Sequence, residues 1–158
     1  NPKPENLQHL REIAVHTNEA LAQEIGINPS ASITCVKPSG TVSQLVDSAS
    51  GIHSRHSPYY IRRVRMDAKD PMTTFMQDLE WVWEPDNTKP NETVVFSFPV
   101  KSPKGSITRE KRSAIQQLEV WSLYQEHWCQ HKPSITITVK EEEWLEVGAW
   151  VFNNFKTM

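Results

Sequence analysis

No long apolar run occurs anywhere in these 158 residues. With a mean hydropathy of −0.56, that excludes a membrane-spanning helix. A charge excess of either sign is also missing. Seventeen Lys and Arg stand against 19 Asp and Glu, for a net charge of −2. The whole chain is therefore no electrostatic magnet for nucleic acid or anionic lipid. Cysteine is scarce: Cys35 and Cys129 are the only two, far apart and in different predicted elements. That fits a reducing compartment, the cytoplasm, and not a disulfide framework. There is no signal-peptide pattern, internal repeat or low-complexity segment. The chain opens on Asn1-Pro2-Lys3-Pro4 without an initiator Met, and is expected to be a piece of something longer.

What is present is enough for one ordinary domain. Hydrophobic residues make up 37% of the chain, and six Trp point to a well-packed interior or a large buried interface. Residues Pro4 to Ile25 read as an amphipathic helix with Leu7, Leu10, Ala14, Leu21 and Ile25 on its core face. Gly26 is its stop. Ala31 to Lys37 reads as a buried strand, and a short helix follows from Gly40 or Thr41 to about Asp47. Ser48 to Pro58 is a loop. Tyr59 to Met66 is a strand, and Asp70-Pro71 starts a helix to about Glu80. Pro85 to Asn91 is a turn-rich loop before a strand from Thr93 to Val100. Thr108 is expected to cap a long helix to about Gln130, with Ile115, Leu118, Trp121 and Trp128 on its core stripe. Ser134 to Val139 gives the clearest strand signal, and a last helix runs from about Glu141 to Phe155. Alternation of this kind predicts an α/β fold with a largely parallel sheet, whose ligands sit at the C-terminal ends of strands.

The run Ile33-Thr34-Cys35-Val36-Lys37-Pro38-Ser39-Gly40-Thr41-Val42-Ser43 lies at such an end. A helix start leaves N–H groups unpaired and favours negative charge. Gly40 keeps no side chain between ligand and backbone, and Ser39, Thr41 and Ser43 add hydroxyl donors. These features make a candidate phosphate cradle. The turn is neither a Walker-type loop nor a dinucleotide fingerprint, having one glycine and no Lys-Thr pair. As a bare pattern it is weak, and a turn of this composition is most often just a well-capped turn.

Lys37-Pro38-Ser39-Gly40-Thr41-Val42-Ser43-Gln44-Leu45 resembles the substrate-phosphate loop of ribonucleotide reductases. Further matches follow in order: Asp47 to His53, Tyr59 to Arg65, Phe98 to Lys101, Pro133 to Thr136, and Glu143 to Trp150. Together they resemble the adenosylcobalamin-dependent (class II) reductases, especially the ribonucleoside-triphosphate branch, from about Ser30 to Phe155. The resemblance implies a ten-stranded α/β barrel with a finger loop inside. Residues 1–158 would form a single partial domain, the C-terminal portion of that barrel. The implied reaction replaces the ribose 2′-hydroxyl by hydrogen through a cysteine thiyl radical generated from adenosylcobalamin. Pro38, Ser39, Gly40, Thr41, Val42 and Ser43 would bind the substrate phosphates, so that energy from non-reacting groups positions the ribose. The implied partners are a ribonucleoside triphosphate, a thioredoxin-type reductant and the rest of the reductase chain.

The family's radical cysteine lies in an Asn-Pro-Cys-x-Glu segment. Here Asn1-Pro2 and Asn28-Pro29 are followed by Lys3 and Ser30. The reducing cysteine pairs are missing too, so no catalytic residue is assigned and the chain is expected to be inactive alone. Alternatives are a diphosphate-using class II enzyme and a non-catalytic module binding nucleotide or nucleic acid. The anaerobic glycyl-radical class fits less well, since no Arg-Val-x-Gly-Tyr type segment closes the chain. Cys35 and Cys129 read as small buried apolar side chains. Arg55, Arg62, Arg63 and Arg65 with Tyr59 and Tyr60 have the ingredients of a single-strand binder. A strand splits the arginines between two faces, and solvated or salt-bridged roles are expected. His53 and His56 near Asp47, and the pair His127 and His131, lack a specific metal-ligand pattern. Glu141, Glu142 and Glu143 suit the positive end of a helix dipole.

Overall fold

The structure is a computed structural model that describes residues 2–40 and 42–158. It divides into two compact units: Asn1–Arg55 with Ile107–Met158, and His56–Ser106.

The first unit is built on helices. Helix α1 spans Pro4–Ile25, with Pro at its first position, where the missing N–H costs nothing. Gly26 closes it as expected. Leu7 and Ala22 are buried, but Leu10, Leu21 and Ile25 are exposed, so the predicted apolar face lies largely uncovered within this chain. Helix α2 is a single turn, Val42–Leu45. Helix α4 is Ala114–His127, numbered after α3 (Pro71–Asp78) of the second unit. It starts later than predicted. Thr108 is buried and makes no side-chain cap; it precedes a 3₁₀ turn at Arg109–Lys111. Ser113 is the cap. Its hydroxyl accepts from the Gln116 N–H, and the Gln116 side chain accepts from the Ser113 N–H. That reciprocal box satisfies two otherwise orphaned donors. Leu118 and Trp121 are buried as expected, while Ile115 and Trp128 are half-buried. A 3₁₀ turn at Glu141–Glu143 leads into α5, Trp144–Asn154, none of whose residues is buried.

The two segments read as strands in this unit, Ala31 to Lys37 and Ser134 to Val139, form no regular ladder. They are tied by isolated bonds. The Gln130 N–H donates to the Thr34 carbonyl at 2.9 Å, and the Ser134 N–H to the Val36 carbonyl at 3.0 Å. Side chains serve the remaining edges. The Gln117 amide both donates to the Thr138 carbonyl and accepts from the Thr138 N–H. Two indoles add anchors: Trp121 Nε1 donates to the Pro133 carbonyl and Trp128 Nε1 to the Cys35 carbonyl. Every buried backbone group needs a partner, and here amide and indole side chains supply several.

The second unit is a three-stranded sheet with one helix. Strands β1 (Tyr59–Asp67), β2 (Trp83–Pro85) and β3 (Thr93–Lys101) stand in the order β1-β3-β2. Both pairings are antiparallel, from Tyr59 opposite Lys101 to Asp67 opposite Thr93, and from Trp83 opposite Phe96 to Pro85 opposite Val94. The expected parallel arrangement is not found among the described residues. Strand β2 has no counterpart among the expected strands. The central strand β3 carries the core, Val94, Val95 and the fully buried Phe96. Burying a side chain of that size is worth about 1.5–3 kcal/mol. Pro99 is tolerated because β2 pairs only with residues 94–96, which leaves that stretch an edge. Helix α3, Pro71–Asp78, is capped by Asp70, whose carboxylate accepts from the Met72 N–H at 2.8 Å.

Candidate functional site

The turn after residue 37 is shaped by its small residues. Gly40 has φ +56°, a left-handed conformation that side-chain-bearing residues rarely adopt. A Cβ built on Gly40 meets none of the described residues beyond its chain neighbours within 4 Å, so the glycine is demanded by the backbone and leaves open space beside it. The Val42 N–H donates to the Ser39 carbonyl at 3.1 Å and closes the turn. Ser43, the next residue of α2, is buried, and its hydroxyl has no hydrogen-bond partner among the described residues. Pro38 is exposed and Ser39 half-buried. Thr41, the sixth residue singled out in the sequence, lies outside the described residues.

The loop after α2 folds back on this turn. The Ser39 N–H donates to Ser50 Oγ at 2.9 Å, and Ser39 Oγ donates to the same atom at 3.2 Å. Next to Ser50, Gly51 has φ +52°. A Cβ there would stand 3.1 Å from Val36 Cγ1 and 3.2 Å from the Lys37 carbonyl oxygen. Two residues on, His53 is held at both ring nitrogens. Nδ1 lies 2.6 Å from the Ser50 carbonyl, which can only accept, so this nitrogen carries the proton. Nε2 then accepts from the Thr136 N–H at 2.9 Å. Neither nitrogen is left for a metal. Asp47, at φ +50°, lies in the turn that follows α2 and pairs with Arg55 at 2.8 Å. The Arg55 side chain is only 6% exposed, and its backbone bonds to Ile107 and Arg109. In the sequence, Ser48 to Pro58 reads as a loop. The signal for its role was the Ser-Ala-Ser-Gly run, small residues that let two backbones approach.

The other candidates are absorbed by structure. Arg63 pairs with Glu84, and Arg65 pairs with Asp86 at 2.7 Å, so these strand arginines are salt-bridged, as expected. Asp86 also accepts from the Thr88 hydroxyl and the Thr88 and Lys89 N–H groups. The Thr88 hydroxyl first, then Arg65, holds its carboxyl far below the usual range. Glu143 accepts from the Lys140 and Ala114 N–H groups, which lowers its carboxyl and joins the starts of α4 and α5. Cys129 is buried, and burial pushes its thiol up; Cys35 is half-buried. His127 lies 3.7 Å from the carboxylate of its neighbour Glu126. Among the described residues no three of His, Cys, Asp and Glu converge as metal ligands. Nor is any helix there long and apolar enough to cross a membrane.

No protein-family model matches the chain. Individual relatives do. The chain is 30% identical over 143 residues to an adenosylcobalamin-dependent ribonucleoside-triphosphate reductase of Lactobacillus acidophilus, covering 88% of this chain and 19% of that protein. It is 30% identical over 122 residues to a reductase of the same name from Euglena gracilis, covering 77% and 17%. A crystal structure of a B-12-dependent (class II) ribonucleotide reductase superposes with a TM-score of 0.78 at 26% identity, over 96% of this chain and 22% of that one. The chain thus spans about a fifth of the length of the relatives it matches. By sequence and by fold, it belongs to the adenosylcobalamin-dependent (class II) ribonucleotide reductase family.

Proposed function

We propose that this chain is the part of a ribonucleoside-triphosphate reductase that carries the substrate-phosphate turn, within the C-terminal portion of a ten-stranded α/β barrel. The observation that carries the reading is the Pro38 to Ser43 turn itself. It combines a left-handed Gly40 facing open space, a buried Ser43 hydroxyl with no partner among the described residues, and a first helical turn behind them. The similarity to these reductases extends over 88% of the chain. Pro38, Ser39, Gly40, Thr41, Val42 and Ser43 would hold the phosphates of a ribonucleoside triphosphate. Phosphate oxygens accept from backbone N–H and hydroxyl groups, and the Ser43 hydroxyl is such a donor with no partner among the described residues. Anchoring the non-reacting phosphates fixes the ribose for reaction elsewhere in the parent enzyme.

The radical chemistry is supplied by adenosylcobalamin when it is bound to the parent. No residue of this chain is assigned to that group. The turn offers amides and hydroxyls suited to phosphate, and the groove of about 370 Å³ between Tyr59, Ile61 and Val100 lies open on the sheet. Reductase activity and a thioredoxin-type reductant belong to the parent in this reading, and the chain alone is inactive. The apolar side chains left exposed agree with a part of a larger body: Leu145 is 91% exposed and Phe152 83%.

The test is Gly40→Val. A β-branched residue at φ +56° forces the turn out of its conformation. Ribonucleoside-triphosphate binding, measured by calorimetry, is expected to disappear. Unchanged affinity would remove the turn from the site. Strong salt-dependent binding of single-stranded DNA instead would favour a nucleic-acid module.

A further inference from the structure

We propose that Ser50 is a positioning residue for phosphate binding, and that Ser50, Gly51 and His53 form a brace that fixes the turn before ligand arrives. This rests on the reading of Pro38 to Ser43 as the phosphate site. Three independent contacts define the brace. Ser50 Oγ accepts both the N–H and the hydroxyl of Ser39, at 2.9 and 3.2 Å. Gly51 lies against the Lys37 carbonyl at a distance no Cβ could share comfortably. His53 bonds the Ser50 carbonyl on one side and the Thr136 N–H on the other, which anchors the loop to residues distant in sequence.

The consequence is a division of labour within the turn. The Ser39 N–H already has an acceptor in Ser50, so its role is to hold the turn's entrance. The Val42 N–H likewise closes the turn on the Ser39 carbonyl, so the donors left for ligand lie elsewhere in the turn, with the unpartnered Ser43 hydroxyl among them. A preformed anion site avoids the cost of ordering a loop on binding, so loss of the brace should weaken affinity without removing any ligand contact.

The experiment titrates the 158-residue chain with inorganic tripolyphosphate and compares Ser50→Ala with Ser50→Thr, which keeps the hydroxyl. Ser50→Ala is expected to bind about tenfold more weakly, the effect of one net hydrogen bond, with its unfolding midpoint little changed. Ser50→Thr is expected to restore most of the affinity. Hydrogen exchange on the unsubstituted chain gives a second readout. The Ser39 amide should be protected before ligand is added and gain little on binding. If the unsubstituted chain binds but folded Ser50→Ala binds equally well, the brace is wrong and the phosphate reading stands. If Ser39 gains its protection only with ligand, the brace is again wrong. If the unsubstituted chain binds no tripolyphosphate, the phosphate reading fails and the brace falls with it.

Discussion

Replacing Gly51 by Ala tests the close packing behind the turn, and Gly40→Ala is its natural control. Both glycines have left-handed backbones, at φ +52° and +56°. An L-residue in that conformation costs about 1–2 kcal/mol. At Gly40 nothing lies within 4 Å of the new methyl, so the cost ends there. At Gly51 the methyl would meet Val36 Cγ1 at 3.1 Å and the Lys37 carbonyl oxygen at 3.2 Å. Val36 is buried, and the carbonyl is backbone, so neither yields as a flexible side chain would. Overpacking of that kind adds about 1–3 kcal/mol. The expected loss is therefore about 2–5 kcal/mol for Gly51→Ala against about 1–2 for Gly40→Ala. Urea unfolding of the two variants measures it, provided the slope with denaturant is unchanged. Equal losses would refute the reasoning. They would mean that the 50–53 loop rests loosely on the turn and does not shape it.

Further outcomes follow from other contacts. Ser113→Ala removes the cap of α4 and is expected to cost about 1 kcal/mol in thermal or urea unfolding; no change would show the box to be unimportant. Trp144→Ala is expected to change the stability of this chain by less than about 0.5 kcal/mol, because the side chain is 58% exposed and leaves no cavity. A large loss would show that Trp144 is covered in solution. The Asp86 carboxyl is depressed in the folded chain, so its contribution is present above its unfolded pKa of about 3.9 and is lost as pH falls below it. Asp86→Asn should flatten the stability decline below about pH 4. An unaltered acid profile would contradict the hydrogen-bond pattern at that carboxylate.

The sequence made some elements legible because their limits are local. Pro4 and Gly26 bound α1 to the residue, and Asp70-Pro71 fixed the start of α3. Strands β1 and β3 were readable from their β-branched and aromatic content. The segments 31–37 and 134–139 have the same content but form no ladder. Strand propensity records a fit to a pleated surface with neighbours, and here Gln117, Gln130 and His53 serve edges that strands would serve. Apolar periodicity likewise marked Leu10, Leu21 and Ile25 as one face without revealing whether this chain supplies its cover. Strand β2 is only three residues long and ends in Pro85, too short a run to register. The turn at 38–43 was visible as a motif. Its brace was not, because the contact from Ser39 to Ser50 depends on a fold-back that spacing alone does not encode.

The most direct test of the central claim is an amide-resolved NMR titration of the chain with a ribonucleoside triphosphate. The account predicts that shifts concentrate at Gly40 to Ser43, with smaller effects at Ser50 and Gly51. Saturating triphosphate that moves no amide there, or that moves only residues of the β1–β3 sheet, would contradict it.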